Sequence, residues 1–113
     1  MNVTTHISGL LTPYAFESVT IGVTVGSLTA SKYIQRGSEA LRDLGDARLV
    51  MISVEGKVRY RLDGVADPTG AVGHLLYNGD VLTLGSMQQF KLFRAIRETS
   101  ESSDATLRVT YFR

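Results

Sequence analysis

Apolar positions recur every second residue along most of this chain. Glu17–Val25 (ESVTIGVTV) sets Val19, Ile21, Val23 and Val25 on one face, and Ser18, Thr20, Gly22 and Thr24 on the other. That period of two predicts a half-buried strand, because successive side chains of a pleated backbone point to opposite faces. Lys57–Leu62 (KVRYRL) repeats the pattern, with Val58, Tyr60 and Leu62 inward and Lys57, Arg59 and Arg61 outward. Ala105–Arg113 (ATLRVTYFR) aligns Leu107, Val109 and Tyr111 on one face. Phe112 has the opposite parity and reads as an exposed or interface-buried ring. Arg48–Glu55 (RLVMISVE) differs, since Leu49 to Ile52 is apolar in both parities. Such a run predicts a central strand covered on both faces. Leu28–Ile34 (LTASKYI) reads as a further short strand, weakened by Ala30 and Ser31. Lys91–Glu98 (KLFRAIRE) fits a helix or a strand and is read as a strand from its β-rich surroundings.

Turn signals separate these runs. Gly56 and Asp63-Gly64 bracket one strand, and Pro68 and Gly70 punctuate a loop over Val65–Gly70. Asn78-Gly79 lies between Ala71–Tyr77 and Asp80–Leu84, which predicts a hairpin with a tight turn. Gly85–Phe90 is read as a connection with room for one turn of 3₁₀ helix, and Thr99–Asp104 as a polar loop. The helix-like stretch is Gly37–Gly45, with Ser38 as N-cap, Ala40, Leu41 and Leu44 as its stripe and Gly45 past its end. Met1–Tyr14 is polar and unpatterned. The expected architecture is all-β: an antiparallel β-sandwich, jelly-roll-like, of about seven or eight strands with one short helix and an extended N-terminal arm. Residues 1–16 form the arm or an edge strand, and residues 17–113 a single domain.

Composition narrows the chemistry more than the fold. The 113 residues carry 12 basic and 11 acidic side chains, a net charge of +1. A dedicated nucleic-acid binder shows a marked basic excess, so that class is disfavoured. The absence of cysteine excludes disulfides, thiolate metal sites and a thiol nucleophile. No apolar run reaches the length of a membrane span. The first eleven residues lack both the basic residues and the apolar stretch of a secretory signal.

His6 and His74 have no carboxylate beside them in sequence, and none of the common nucleophile, metal or phosphate-loop motifs is present. Asp63 and Asp67 share one loop, where turn stabilisation outweighs a cation site, which needs more oxygen ligands at tighter spacing. No cofactor or metal is expected. Arginine carries the richer signal: Arg59, Arg61, Arg94, Arg97, Arg108 and Arg113 lie on predicted strands or at the C-terminus. Arg59 and Arg61 share a face, while Arg94 and Arg97 do not. They suit a partner or subunit interface, where arginine is enriched, about as well as a solvated face pairing across strands with Glu55, Glu98 and Asp104.

The C-terminal part of the chain carries an ordered set of short motifs: Arg61–Gly64, Pro68-Thr69, Gly73–Leu75, Asn78-Gly79, Phe93–Arg97 and Val109–Arg113. In this order they resemble small virion-structural proteins of tailed bacteriophages and prophages, over roughly half the chain. Gly37–Asp46 is additional to that pattern. The resemblance implies a non-enzymatic particle component, most of all a capsid decoration (cement) protein. It would be made in the cytoplasm of the bacterial host and carried on the capsid surface of the virion. Its implied partners are the major capsid protein and further copies of itself in a homotrimer, without direct contact to nucleic acid or membrane. On this reading Arg59, Arg61, Arg94, Arg97, Phe112 and Arg113 serve the interfaces. Asn2, Val3, Thr4, Thr5, His6 and Ile7 form an arm laid on the coat. The alternatives are a tail or head–tail connector subunit and, further off, a carbohydrate-binding module.

Overall fold

The structure, a computed structural model, describes residues 11–34 and 45–113. Seven strands and two short helices lie within them. The strands are β1 (Pro13–Ile21), β2 (Leu49–Glu55), β3 (Val58–Arg61), β4 (His74–Leu76), β5 (Val81–Leu84), β6 (Arg94–Arg97) and β7 (Ala105–Phe112). The helices are α1 (Ala30–Tyr33) and α2 (Met87–Leu92). All strand pairs are antiparallel, in a four-stranded sheet of order β1-β7-β2-β5 and a three-stranded sheet of order β4-β3-β6. The chain is therefore mostly β, in two antiparallel sheets. The arm residues Asn2 to Ile7 and the expected helix stripe Ala40, Leu41 and Leu44 fall outside the described residues.

One hydrophobic core takes residues from both sheets. The four-stranded sheet contributes Ile21, Val50, Ile52, Val54, Leu84, Leu107, Val109 and Tyr111, and the three-stranded sheet Val58, Leu76 and Ala95. Phe90 and Phe93 fill the space beside them, at 1% and 0% exposure. Each such side chain contributes roughly 2–3 kcal/mol by leaving water. Tyr111 brings a hydroxyl into this core, and it donates to the carboxylate of Glu17. The Thr29 hydroxyl donates to the other Glu17 oxygen at 2.7 Å. Burial, and then the carboxylate, push the Tyr111 phenol well above its ordinary pKa.

The alternating runs became strands where they found partners. In β2, Val50, Ile52 and Val54 are buried and Leu49, Met51 and Ser53 are partly exposed. The strand is central, between β7 and β5, yet covered on one face more than the other. The first strand lies four residues earlier than its hydrophobic pattern suggests. β1 runs only as far as it pairs with β7, from Pro13 opposite Phe112 to Ile21 opposite Ala105. Pro13 to Phe16 thus belong to an edge strand. Beyond Ile21 the chain moves to the other sheet: Gly22 accepts from the Arg97 N–H at 2.9 Å, and Gly26 pairs with Ala95. Val23, expected inside, is 72% exposed.

Three further expectations are corrected. Leu28–Ile34 is no strand. It has no partner strand, and Ala30–Tyr33 coils into α1, which buries Tyr33 against the Phe90 ring at 6.0 Å. Lys91 and Leu92 close α2, and only Arg94–Arg97 is extended. Ser86 caps that helix by accepting from the Gln89 N–H at 3.2 Å, while the Gln89 side chain accepts from the Gly85 N–H at 2.7 Å. The S-x-x-Q spacing is that of a capping box, with the Gln89 side chain reaching the N–H one residue before the cap. Finally, Asn78-Gly79 is a turn but not a hairpin. Gly79 has φ +91 and no non-glycine residue among those described has positive φ. With the Asp80 N–H bonded to the Tyr77 carbonyl at 2.9 Å, the turn is of type II. Such a turn splays its flanking strands, whereas a two-residue hairpin needs positive φ at both or at the first central residue. β4 accordingly pairs with β3, and β5 with β2 in the other sheet.

Candidate functional site

The register of the three-stranded sheet decides where its arginines point. Arg59 stands opposite Leu75 and Ile96, and Arg61 opposite Arg94. Tyr60, His74 and Ala95 form the neighbouring row, which faces the core through the Tyr60 ring stacked on Phe93 at 5.9 Å. Arg59, Arg61 and Arg94 therefore share the outward face. Sequence parity alone linked only the first two, because it carries no information on which residues of different strands stand opposite.

Two like charges directly opposite are destabilising unless each is engaged elsewhere. Arg61 pairs with the carboxylate of Asp63. That hydrogen bond holds the Asp63 carboxyl below the usual range. Arg94 donates from Nη1 to the carbonyls of Lys91 and Phe93, at 2.9 and 2.7 Å. No carboxylate among the described residues pairs with it. Arg59 does different work. Its Nε donates to the Gly70 carbonyl at 3.2 Å and its Nη1 to the Gly73 carbonyl at 2.9 Å. It thereby ties the long loop after β3 across the outward face. Pro68 is buried under that loop, and the Thr99 N–H donates to the Gly70 carbonyl at 2.9 Å. Gly73 has φ +138, and a Cβ there would stand 3.1 Å from the Tyr60 carbonyl and 3.2 Å from both Arg59 and Pro68. The loop closes this tightly only with glycine at that position.

Two shallow hollows flank this face at opposite ends of β6. One, of about 250 Å³, is lined by Gly64, Val65, Ala66, Asp67, Leu92 and Arg94. The other, of about 240 Å³, is lined by Val23, Gly70, Ile96, Arg97, Glu98 and Thr99. Arg97 has the parity opposite to Arg94 and pairs with Asp104 at 2.9 Å. Glu98 lies 3.9 Å from Lys57 and accepts from both the hydroxyl and the N–H of Ser100, contacts that lower its pKa.

Phe112 and Arg113 lie on the other sheet. Phe112, expected as an exposed or interface-buried ring, is 2% exposed within the single chain. Arg113 is 7% exposed, with its guanidinium 3.8 Å from the centre of the Tyr14 ring and Nη1 3.4 Å from the Gly45 carbonyl. The guanidinium sits over the ring as a cation on an aromatic quadrupole. The six interface candidates thus divide between two sheets, and three of them converge on one face. His74 is exposed beside Tyr60, with ring centres 5.3 Å apart. No group of three or more acidic or histidine side chains stands close enough to hold a metal among the described residues. Compared with protein-family models, curated proteins and solved structures, the chain matches none.

Proposed function

We propose that this chain is a non-enzymatic structural protein of a tailed-bacteriophage particle, a capsid decoration protein that binds the outer shell as an oligomer and stabilises the head. Its two sheets are, on this reading, the layers of a jelly-roll-like β-sandwich. One observation carries the proposal. Four of the six short motifs that resemble phage virion proteins, dispersed along the sequence, meet in space around the three-stranded sheet, while Val109–Arg113 lies on β7 of the other sheet. Gly64 lines a hollow with Arg94. Pro68 and Gly73 pack against each other beside Arg59. His74 and Leu75 pair with Tyr60 and Arg59, and Arg94 to Arg97 run along the far side of the same strand. These four motifs belong to one sheet and its loop, stapled by backbone and arginine hydrogen bonds.

A rigid face suits a cement role, because a contact surface that is already ordered loses little conformational entropy on docking. Several copies held together bind a repeating shell more tightly than any one of them, since the later contacts form at high effective concentration. The test is sedimentation of the purified protein with shells of the cognate major capsid protein. Decoration requires saturation at a copy number comparable to the coat, and a higher temperature of shell rupture with the protein bound. Failure to sediment with intact shells overturns the proposal, and saturation at a single ring's worth of copies indicates a connector.

A further inference from the structure

The two ends of β6 differ in a complementary way. At the Arg94 end, Val65 projects from its loop at 84% exposure, the highest among the exposed large apolar side chains described. It lines the same hollow as Arg94, whose guanidinium lacks a carboxylate partner among the described residues. At the Arg97 end, the second hollow has Val23 and Ile96 in its wall, with Val23 72% exposed. Glu101 follows Glu98 and Thr99 of its wall, in the turn closed by its N–H on the Glu98 carbonyl at 3.0 Å. Among the described residues the Glu101 carboxylate has no hydrogen-bond or ion-pair partner, while its neighbours Glu98 and Asp104 are engaged by Lys57 and Arg97. One end thus offers an apolar knob beside an unmatched cation. The other offers an apolar hollow beside an unmatched anion.

We infer that a second copy of this chain docks here head to tail, Val65 of one copy entering the Val23–Ile96 hollow of the next while Arg94 pairs with Glu101. The knob and the hollow lie about 10 Å or more apart along β6, so a single copy does not satisfy itself. Because the two surfaces differ, the contact is heterologous, and repeated rotation closes it into a ring. The charge pair sets orientation and register, and the buried valine excludes water around it. This deepens the proposal above, resting on it for the expectation of a closed oligomer, and it names the residues that make the contact.

The chain has no cysteine, so introduced pairs report alone. The V65C/V23C double variant is oxidised at high protein concentration and compared on a non-reducing gel with V65C/V81C. Val81 is 56% exposed on the other sheet and serves as an accessibility control. Circular dichroism verifies the fold of each variant. The expected result is a covalent ladder ending in one closed species for V65C/V23C, at about tenfold the control yield. In that background R94E or E101R alone lowers the yield about tenfold, and the two together restore it to within about twofold. Equal yields for the two cysteine pairs, or no recovery in the charge-swapped double, overturn the inference. The experiment uses no coat shells. A ladder from a protein that ignores shells keeps the ring and removes the decoration role, and shell binding without the ladder does the reverse.

Discussion

The arginine side chains among the described residues do several separate jobs. Arg59 holds two backbone carbonyls and so fastens a loop. Arg61, Arg97 and Arg108 neutralise Asp63, Asp104 and Glu55. Arg94 is fixed by carbonyls at one edge. The cross-strand partners expected from sequence for Glu55, Glu98 and Asp104 all exist, though Glu98 meets Lys57 instead of an arginine. The role of Arg59 was not legible, because it depends on a loop folding back to within reach of a strand it has just left. The acids lead to a prediction. Asp63 and Glu98 have pKa values lowered by hydrogen bonds from Arg61 and Ser100 respectively. A lowered carboxyl contributes stability that is fully present above its unfolded pKa, about 3.9 for Asp and 4.3 for Glu, and lost as pH falls through the folded value. The urea midpoint is therefore expected to drop below about pH 4–5. The double variant D63N/E98Q flattens that acid limb and lowers the plateau at neutral pH. An acid limb of unchanged steepness in the double variant contradicts the assignment.

The turn at Asn78-Gly79 sends β4 and β5 into different sheets. Asn78-Gly79 marks a turn in sequence, and a turn is there. Its type is set by tertiary contacts. The Asn78 side chain accepts from the Gly56 N–H at 3.1 Å, and the Gly79 N–H donates to the Val54 carbonyl at 2.8 Å. Both bonds reach the corner where β2 leads into β3, so the turn is anchored between the sheets and sends β4 and β5 apart. At φ +91 a side chain is strained, and Gly79→Ala is expected to cost about 1–2 kcal/mol. Chemical denaturation checks this, and a neutral effect would contradict a glycine-dependent type II turn. At α2 the information was present and local: Ser86 and Gln89 at capping-box spacing announce a helix start. The alternation of Phe93, Ala95 and Arg97 masked it, because a helix entering a strand without a loop blends the two periods.

At the scale of the whole molecule, the first and last strands are neighbours. β1 pairs with β7 along its length, and Thr12 and Arg113 exchange backbone hydrogen bonds at 2.7 and 3.0 Å. β7 also pairs with β2, so the four-stranded sheet lacks its middle until the end of the chain arrives. Pairing across nearly the full sequence carries a large loop-closure cost before any contact offsets it. Refolding from urea is expected on a timescale of about milliseconds to seconds by stopped-flow fluorescence of the tyrosines. A microsecond phase that recovers the full signal would contradict this topology.

The strand-rich composition, the two-residue hydrophobic period, the turn positions and the alternating inward residues of β3 and β7 were determined by the sequence itself. Each depends on backbone sterics and on the burial of one face, which act within a few residues. The tertiary structure alone decided that β4 and β5 belong to different sheets, that β1 ends at Ile21, that Arg94 joins Arg59 and Arg61 on one face and that Phe112 is buried. Those outcomes depend on which distant backbone groups and apolar faces satisfy one another, and residues far apart in the chain have no local property that encodes their meeting.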